Sequence, residues 1–198
     1  MTGRFITFEG PEGAGKSTQI RLLAEHLAAS GRPVHVTHEP GATPLGARLR
    51  EWILHEGGVC PRAELLLMAA DRADHVERAI RPALARGEWV LCDRYVDSTT
   101  AYQGGGLGLP AEEIALANRL ATAGLMPQLT LVFLIDPALG LARKGRGGDR
   151  IEARDLSFHE RVAAAYRALC EREPHRCVPV AVDRLSVAAV HERVRAAL

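Results

Sequence analysis

The sequence predicts an α/β fold, a parallel sheet with helices on both faces. Two observations carry this. Short apolar runs of strand length recur along the chain, and stretches with the 3.6-residue apolar period of amphipathic helices separate them. Several of those runs end at carboxylates, at Glu9, Glu39, Asp93 and Asp136, and in such sheets ligands gather at the carboxyl ends of the strands. The 198 residues, 47% hydrophobic, suffice for a sizeable core. With no internal repeat or low-complexity linker, residues 1–198 read as a single domain.

Residues 4–10, RFITFEG, are a short apolar run ending in glycine and read as a buried strand. Residues 16–31 place Ile20, Leu23, Ala24 and Leu27 on one face and stop at Gly31, the pattern of a helix. PVHVTHEP, residues 33–40, is a second strand, closed by Pro40. Helices are expected from about residue 44 to 56 and from about 61 to 86. In the second, the run from Leu65 to Met68 reads mostly as core, with Met68 facing a pocket. EWVLCDRY (88–95) and LTLVFLID (129–136) are two more strands. QGGGLG, starting at Gln103, resembles a dinucleotide fingerprint but follows no strand, so it reads as a helix stop or hinge. A helix from about 155 to 173, a short strand at CVPVAV and a helix at SVAAVHERVRAAL complete the chain.

Composition narrows the function. A net charge of +1 lacks the basic excess of a nucleic-acid binder. No apolar run approaches the roughly 20 residues that cross a bilayer, and the N-terminus lacks the apolar core of a leader. Cys60, Cys92, Cys170 and Cys177 form no C-x-x-C pair and no zinc spacing. Free thiols of this kind point to a reducing cytoplasm. The eight histidines are scattered, and His26, His159 and His191 fall in helix patterns, where surface or packing roles are expected.

Of the 25 basic residues only Lys16 and Lys144 are lysines, so each is informative. Lys16 sits in GPEGAGKST, residues 10–18, where Gly10, Gly15, Lys16 and Ser17 complete G-x-x-x-x-G-K-[ST] between a strand and a helix. Glycines let successive N–H groups curl into an anion nest, and the following helix adds its positive end. Lys16 is a compact charge on a flexible stem that can follow a phosphate, where arginine offers a rigid fork. Ser17 can offer its hydroxyl to Mg2+. The pattern reads as a nucleoside triphosphate site.

The remaining motifs choose among users of such a loop. The D-x-x-G and N-K-x-D elements of a GTPase are missing, as is the D-E pair of hydrolytic ATPases. Instead Arg94 follows Asp93 at a strand end, which fits a magnesium contact beside a phosphate clamp. Residues 140–155, GLARKGRGGDRIEARD, set Arg143, Lys144, Arg146 and Arg150 among glycines. Such a stretch suits a lid, at about 143–155, that closes over phosphates. The combination favours a kinase of a small nucleotide.

FEGPEGAGKST, THEPGATPLGARLR, LLLMAADRADHV, VLCDRYVDSTTAYQGGG and RKGRGGDRIE together resemble the thymidylate kinase family, and the match spreads over most of the chain. The resemblance implies a three-layer P-loop nucleoside-kinase fold with a five-stranded parallel sheet, a homodimer, and phosphorylation of dTMP to dTDP by ATP and Mg2+ in dTTP synthesis. It implies ATP contacts at Gly10, Gly13, Ala14, Gly15, Lys16, Ser17, Thr18 and Arg143, and metal contacts at Ser17 and Asp93. On the acceptor it implies Glu12 near the sugar 3′-hydroxyl, Arg50 and Arg94 on the phosphate, and Arg72 on the thymine edge. Glu39, Met68, Ser98, Thr99, Tyr102 and Gln103 complete the dTMP site, with Tyr102 placed to reject a ribose 2′-hydroxyl. Lys16, Arg94, Arg146 and Arg150 form the catalytic set. Some relatives carry an arginine inside the phosphate loop where this chain has Gly13, so the lid arginines are expected to replace it. Met68 stands where many relatives have phenylalanine, Ala42 replaces the second glycine of EPGGT, and His38 replaces the arginine before Glu39.

A nucleotide phosphate has a second pKa of about 6 and is nucleophilic near neutrality, so no general base is assigned. Two other readings remain open. A deoxynucleoside kinase would phosphorylate a 5′-hydroxyl and need Glu39 or Asp93 as base. A nucleotide-dependent binding switch would hold ATP without consuming it.

Overall fold

The computed structural model describes residues 3–56, 58–145 and 149–198. Five strands, β1 (Phe5–Glu9), β2 (Val34–His38), β3 (Trp89–Asp93), β4 (Leu129–Leu134) and β5 (Cys177–Ala181), form a parallel sheet in the order β2-β3-β1-β4-β5. The register pairs Phe8 with Asp93 and with Leu131. β1 therefore ends between the tips of β3 and β4, where the strand order reverses and a crevice opens.

Around the sheet lie α1 (Lys16–Ala29), α2 (Pro44–Glu51), α3 (Pro61–His75), α4 (Arg81–Ala85), α5 (Val96–Thr99), α6 (Ala111–Thr122), α7 (Pro137–Lys144), α8 (Leu156–Arg172) and α9 (Val187–Ala196). Strand alternation divides the core. Ile6, Phe8, Leu91, Leu131 and Phe133 meet Leu23 and Leu27 of α1 and Val190 and Val194 of α9. On the other face Phe5, Val90 and Cys92 pack against Val76, Ile80 and Ala83, while Val132 packs on Val162 and Tyr166 of α8. That second face also buries polar groups. The Thr7 and Thr130 hydroxyls bond at 2.8 Å, Thr130 donates to Asp97 at 3.1 Å, and Arg176 donates to Asp97 at 2.6 and 3.0 Å. Such groups are tolerated in a core because they satisfy one another.

Local chemistry sets the helix starts. Thr43, Asp136, Asp155 and Ser186 each cap a helix by accepting a backbone N–H with the side chain. The helix expected from about 61 to 86 is present but interrupted by a π-helical turn, Val76–Ile80. This wider turn ends two residues before Pro82, which has no N–H to offer the helix ladder. Similar turns, Trp52–Glu56 and Thr100–Gly106, extend α2 and α5, so the three glycines after Gln103 lie within a helical segment and end it. α6 is not among the helices expected from the sequence, although its signals are present: Pro110, Glu112 and Glu113 at the start, Gly124 after the end. Within the Leu65–Met68 run, Leu65 is buried but Leu66 is 65% exposed, because four consecutive helical residues cannot share one face.

Candidate active site

At the tip of β1 the backbone turns sharply. Gly10 has φ 132° and Gly13 has φ 68°, and a Cβ at Gly13 would meet the backbone oxygen of Gly140 in α7. The loop thus packs backbone to backbone, which leaves no room for a side chain at position 13. Lys16 begins α1, and its Nζ donates to the carbonyls of Gly10 and Pro11 at 3.0 Å each. Burial, reinforced by Arg94, lowers the Lys16 pKa to about 8. Ser17 donates to Asp93 Oδ2 at 3.1 Å. The other oxygen, Asp93 Oδ1, is buried without a hydrogen-bond partner among the described residues.

Arg94 joins this end to the next. It holds φ 73° although it is not glycine, a strained conformation that persists where its surroundings over-determine it. Its Nη2 donates to Glu12 Oε1 at 2.8 Å, its Nη1 reaches Gly10 O and Ser98 Oγ, and its guanidinium lies 4.9 Å from the centre of the Tyr102 ring. The Tyr102 hydroxyl also donates to Glu12 Oε1, at 2.6 Å. Burial pushes the Glu12 carboxyl up, but Arg94, Lys16 and Tyr102 together hold it below its ordinary value. Beneath them the Glu9 carboxylate accepts from the Tyr95 N–H, the Ser98 hydroxyl and the Tyr166 hydroxyl at 2.6–2.9 Å. Burial, then Asp97, raises the Glu9 pKa to about 7.

Farther along the crevice, Arg72 of α3 is 3% exposed. Its Nε donates to Glu39 Oε2, its Nη1 to Thr99 and Asn118, and its Nη2 to Tyr95 O, all at 2.8–2.9 Å. A guanidinium has five N–H groups, so one, on Nη2, is left free of described protein partners. His75 braces the same Glu39, with Nδ1 2.9 Å from Oε1 and Nε2 2.6 Å from Thr37 Oγ1. Arg50 donates to Pro40 O at 2.8 Å. Asp71 accepts the Gly41 N–H at 3.0 Å, and burial, then Glu39, raises its pKa to about 6.

One cavity of about 520 Å³ runs between these two ends. Gly13, Ala14, Gly15, Lys16, Ser17, Thr18 and Arg143 line it, as do Glu12, Glu39, Arg50, Met68, Arg72, Asp93, Arg94, Ser98, Thr99, Tyr102 and Gln103. Gly10 and Arg150 do not line it, and Arg146 lies outside the described residues.

A family model described as thymidylate kinase matches residues 8–194. The chain belongs to the thymidylate kinase family. It is 54% identical to a thymidylate kinase of Synechococcus sp. (strain JA-3-3Ab), covering 89% of this chain and 86% of that protein. A thymidylate kinase of Exiguobacterium sp. is 48% identical over 98% of this chain and 93% of its own length. The crystal structure of thymidylate kinase from Ehrlichia chaffeensis superposes with a TM-score of 0.81 at 32% identity, covering 99% of this chain and 98% of that one.

In this member of the family the lid segment departs from the simple loop expected. α7 continues to Lys144, which pairs with Glu152 at 2.6 Å. Asp149 Oδ1 then accepts the N–H groups of Ile151 and Glu152 and shapes a turn before α8. Arg150 points away from the phosphate loop, donating to Ile53 O at 3.0 Å and to Glu64 Oε2 at 2.8 Å. His159, expected in a surface or packing role, is buried with Nδ1 3.8 Å from Glu12 Oε2. Glu64, Asp71 and His75 are further site residues not expected from the sequence. A signal for Glu64 was available, since it precedes Met68 and Arg72 by four and eight residues on one face of α3.

Proposed function

We propose that this cavity aligns ATP with dTMP and that the chain transfers the terminal phosphoryl group to give ADP and dTDP. The observation that carries the reading is the single cavity with a phosphate nest at one end and Arg50, Arg72, Arg94 and Gln103 at the other. On binding, the triphosphate draws Lys16 Nζ off the Gly10 and Pro11 carbonyls. A group whose free pKa is about 8 then gains an anionic partner that favours its charged form. Arg94 and Arg50 hold the acceptor phosphate, whose dianion attacks without a base. Glu12, already shared by Arg94 and Tyr102, meets the sugar, and the remaining Arg72 N–H faces the base edge. Arg146 and Arg150 add charge to the transferring group; Arg150 reaches it only by leaving Glu64.

Asp93 fits a magnesium contact, since Oδ1 is buried with no described partner and Oδ2 already holds Ser17. Mg2+ takes oxygen ligands from one or two protein groups and substrate phosphates, and Ser17 and Asp93 would supply the protein share. When bound, the ion neutralises charge on the donor phosphates.

Exposed leucines support a homodimer. Leu66 on α3 and Leu116 and Leu120 on the adjoining α6 are 65%, 51% and 74% exposed, an apolar set suited to a second copy. The shared sheet supports one domain, and the free thiols Cys60, Cys92, Cys170 and Cys177 support a cytoplasmic setting. No helix among the described residues is long and apolar enough to cross a membrane. An ADP-release assay with ATP and Mg2+ across nucleosides and monophosphates tests the function. Turnover of dTMP with thymidine untouched is expected; the reverse would establish a 5′-hydroxyl kinase.

A further inference from the structure

We infer that Glu64 sets base specificity by fixing which end of the Gln103 amide faces the acceptor, and that it ties this choice to the lid. The inference rests on the dTMP reading above and deepens it. Gln103 and Glu64 are both 2% exposed. Gln103 Nε2 donates to Glu64 Oε1 at 2.9 Å, and Gln103 lines the cavity. A glutamine side chain can present either its oxygen or its NH2 group. A carboxylate only accepts, so Glu64 holds the NH2 end and turns the carbonyl oxygen to the cavity. That oxygen accepts no hydrogen bond among the described residues.

The second Glu64 oxygen prevents a rearrangement. Oε2 accepts from Arg150 Nη2 and Arg154 Nη2 at 2.8 Å each. Two guanidinium groups hold the carboxylate in place. Gln103 therefore offers an acceptor, which matches the N3–H donor of thymine and opposes the N3 lone pair of cytosine. The free N–H of Arg72 reinforces the choice, since thymine places an oxygen at position 4 and cytosine an amino group. Glu64, Met68 and Arg72 lie on one stripe of α3. The same carboxylate anchors Arg150 and Arg154, so releasing the lid unties the group that orients the base reader.

Glu64→Gln tests this by reversing polarity. Its oxygen stays with the two arginines, and its NH2 group then faces Gln103. Gln103 must turn its oxygen inward and present NH2 to the cavity. The readout is the ratio of kcat/KM for dTMP over 5-methyl-dCMP, two acceptors that differ only at the base edge. The ratio is expected to fall about 10- to 100-fold in Glu64→Gln. Arg150→Ala removes one of the two guanidinium groups that hold Oε2, so it should lower kcat and lower the ratio as well, by less than Glu64→Gln. A Glu64→Gln enzyme with reduced turnover and the wild-type ratio would overturn the inference and make Glu64 a lid anchor alone. If Glu64→Gln does not fold, Glu64→Leu with Arg150→Leu and Arg154→Leu removes the whole ionic cluster, an exchange that buried ion networks often tolerate. A retained ratio in that variant would equally overturn the inference. Wild-type enzyme inert toward dTMP would instead sink the functional reading itself.

Discussion

The two ends of the cavity are built on different principles. The donor end is backbone: a short contiguous loop whose lysine rests on its own carbonyls at 3.0 Å. The acceptor end is side chains, with Arg72 and His75 of α3 bonded to Glu39 after β2 and, through Arg72, to Thr99 of α5. On the proposed reading, charge at the donor end is held in reserve for ligand. Charge at the acceptor end already stabilises the fold. Substitutions at the first should cost rate, and at the second both rate and stability.

Lys16→Met should give the largest effect and the cleanest separation. Losing the mobile cation should lower kcat by about 10³-fold. Burial disfavours the charged Lys16 in the free enzyme, so its removal should leave the thermal midpoint equal or higher. A falling midpoint would show that the lysine is structural and that the contrast is wrong.

Arg72→Ala should behave in the opposite way. It leaves Glu39 buried beside His75 without its cation, and breaking a buried pair from one side costs about 3–5 kcal/mol. Urea denaturation should show that loss with no ligand present. Unchanged stability would move Arg72 to the ligand-reserved class of Lys16.

The same contrast explains what the sequence made legible. Phosphate-loop function depends on contiguous backbone, so GPEGAGKST announced it, and the central strands β1, β3 and β4 were visible because strands buried on both faces write near-continuous apolar runs. The acceptor network depends on helices that bring distant residues together. Arg72 was located through family resemblance; the spacing of Glu64 puts it on the Arg72 face of α3 without indicating Gln103 as its partner, and nothing local ties His75 to Glu39. Arg150 was assigned to catalysis by its charge, and nothing in the sequence indicates that a buried glutamate on α3 engages it first. α6 was legible and passed over, because its apolar stripe of Ile114, Ala117 and Ala121 is thin.

Glu9 lies between the two ends and gives the contrast a pH axis. Its pKa is raised from 4.5 to about 7. Between those values the folded chain keeps a proton that the unfolded chain releases, so stability falls as pH rises through that window. The full difference is about 3 kcal/mol, reached above pH 7. Glu9→Gln removes the titration, so unfolding free energies measured from pH 4.5 to 8 should show a flatter pH dependence for the variant than for the wild type. Parallel curves would mean that Glu9 is ionised throughout and that the Arg94 turn rests on a permanent charge.

Met68 offers the smallest and most specific probe. It is half-buried, lines the cavity and packs against the apolar cluster that includes Leu54 and Tyr102, so it belongs to the acceptor end but carries none of its charge. Met68→Phe should therefore leave stability within about 1.5 kcal/mol. An aromatic ring against the thymine should tighten dTMP by about 0.5–1.5 kcal/mol, seen by calorimetry as a several-fold lower Kd with ATP affinity unchanged. If dTMP affinity does not move, Met68 does not touch the base. The acceptor end would then read its ligand through polar groups alone, with Gln103 and the Arg72 N–H that lacks a described partner discriminating the base without an apolar contact.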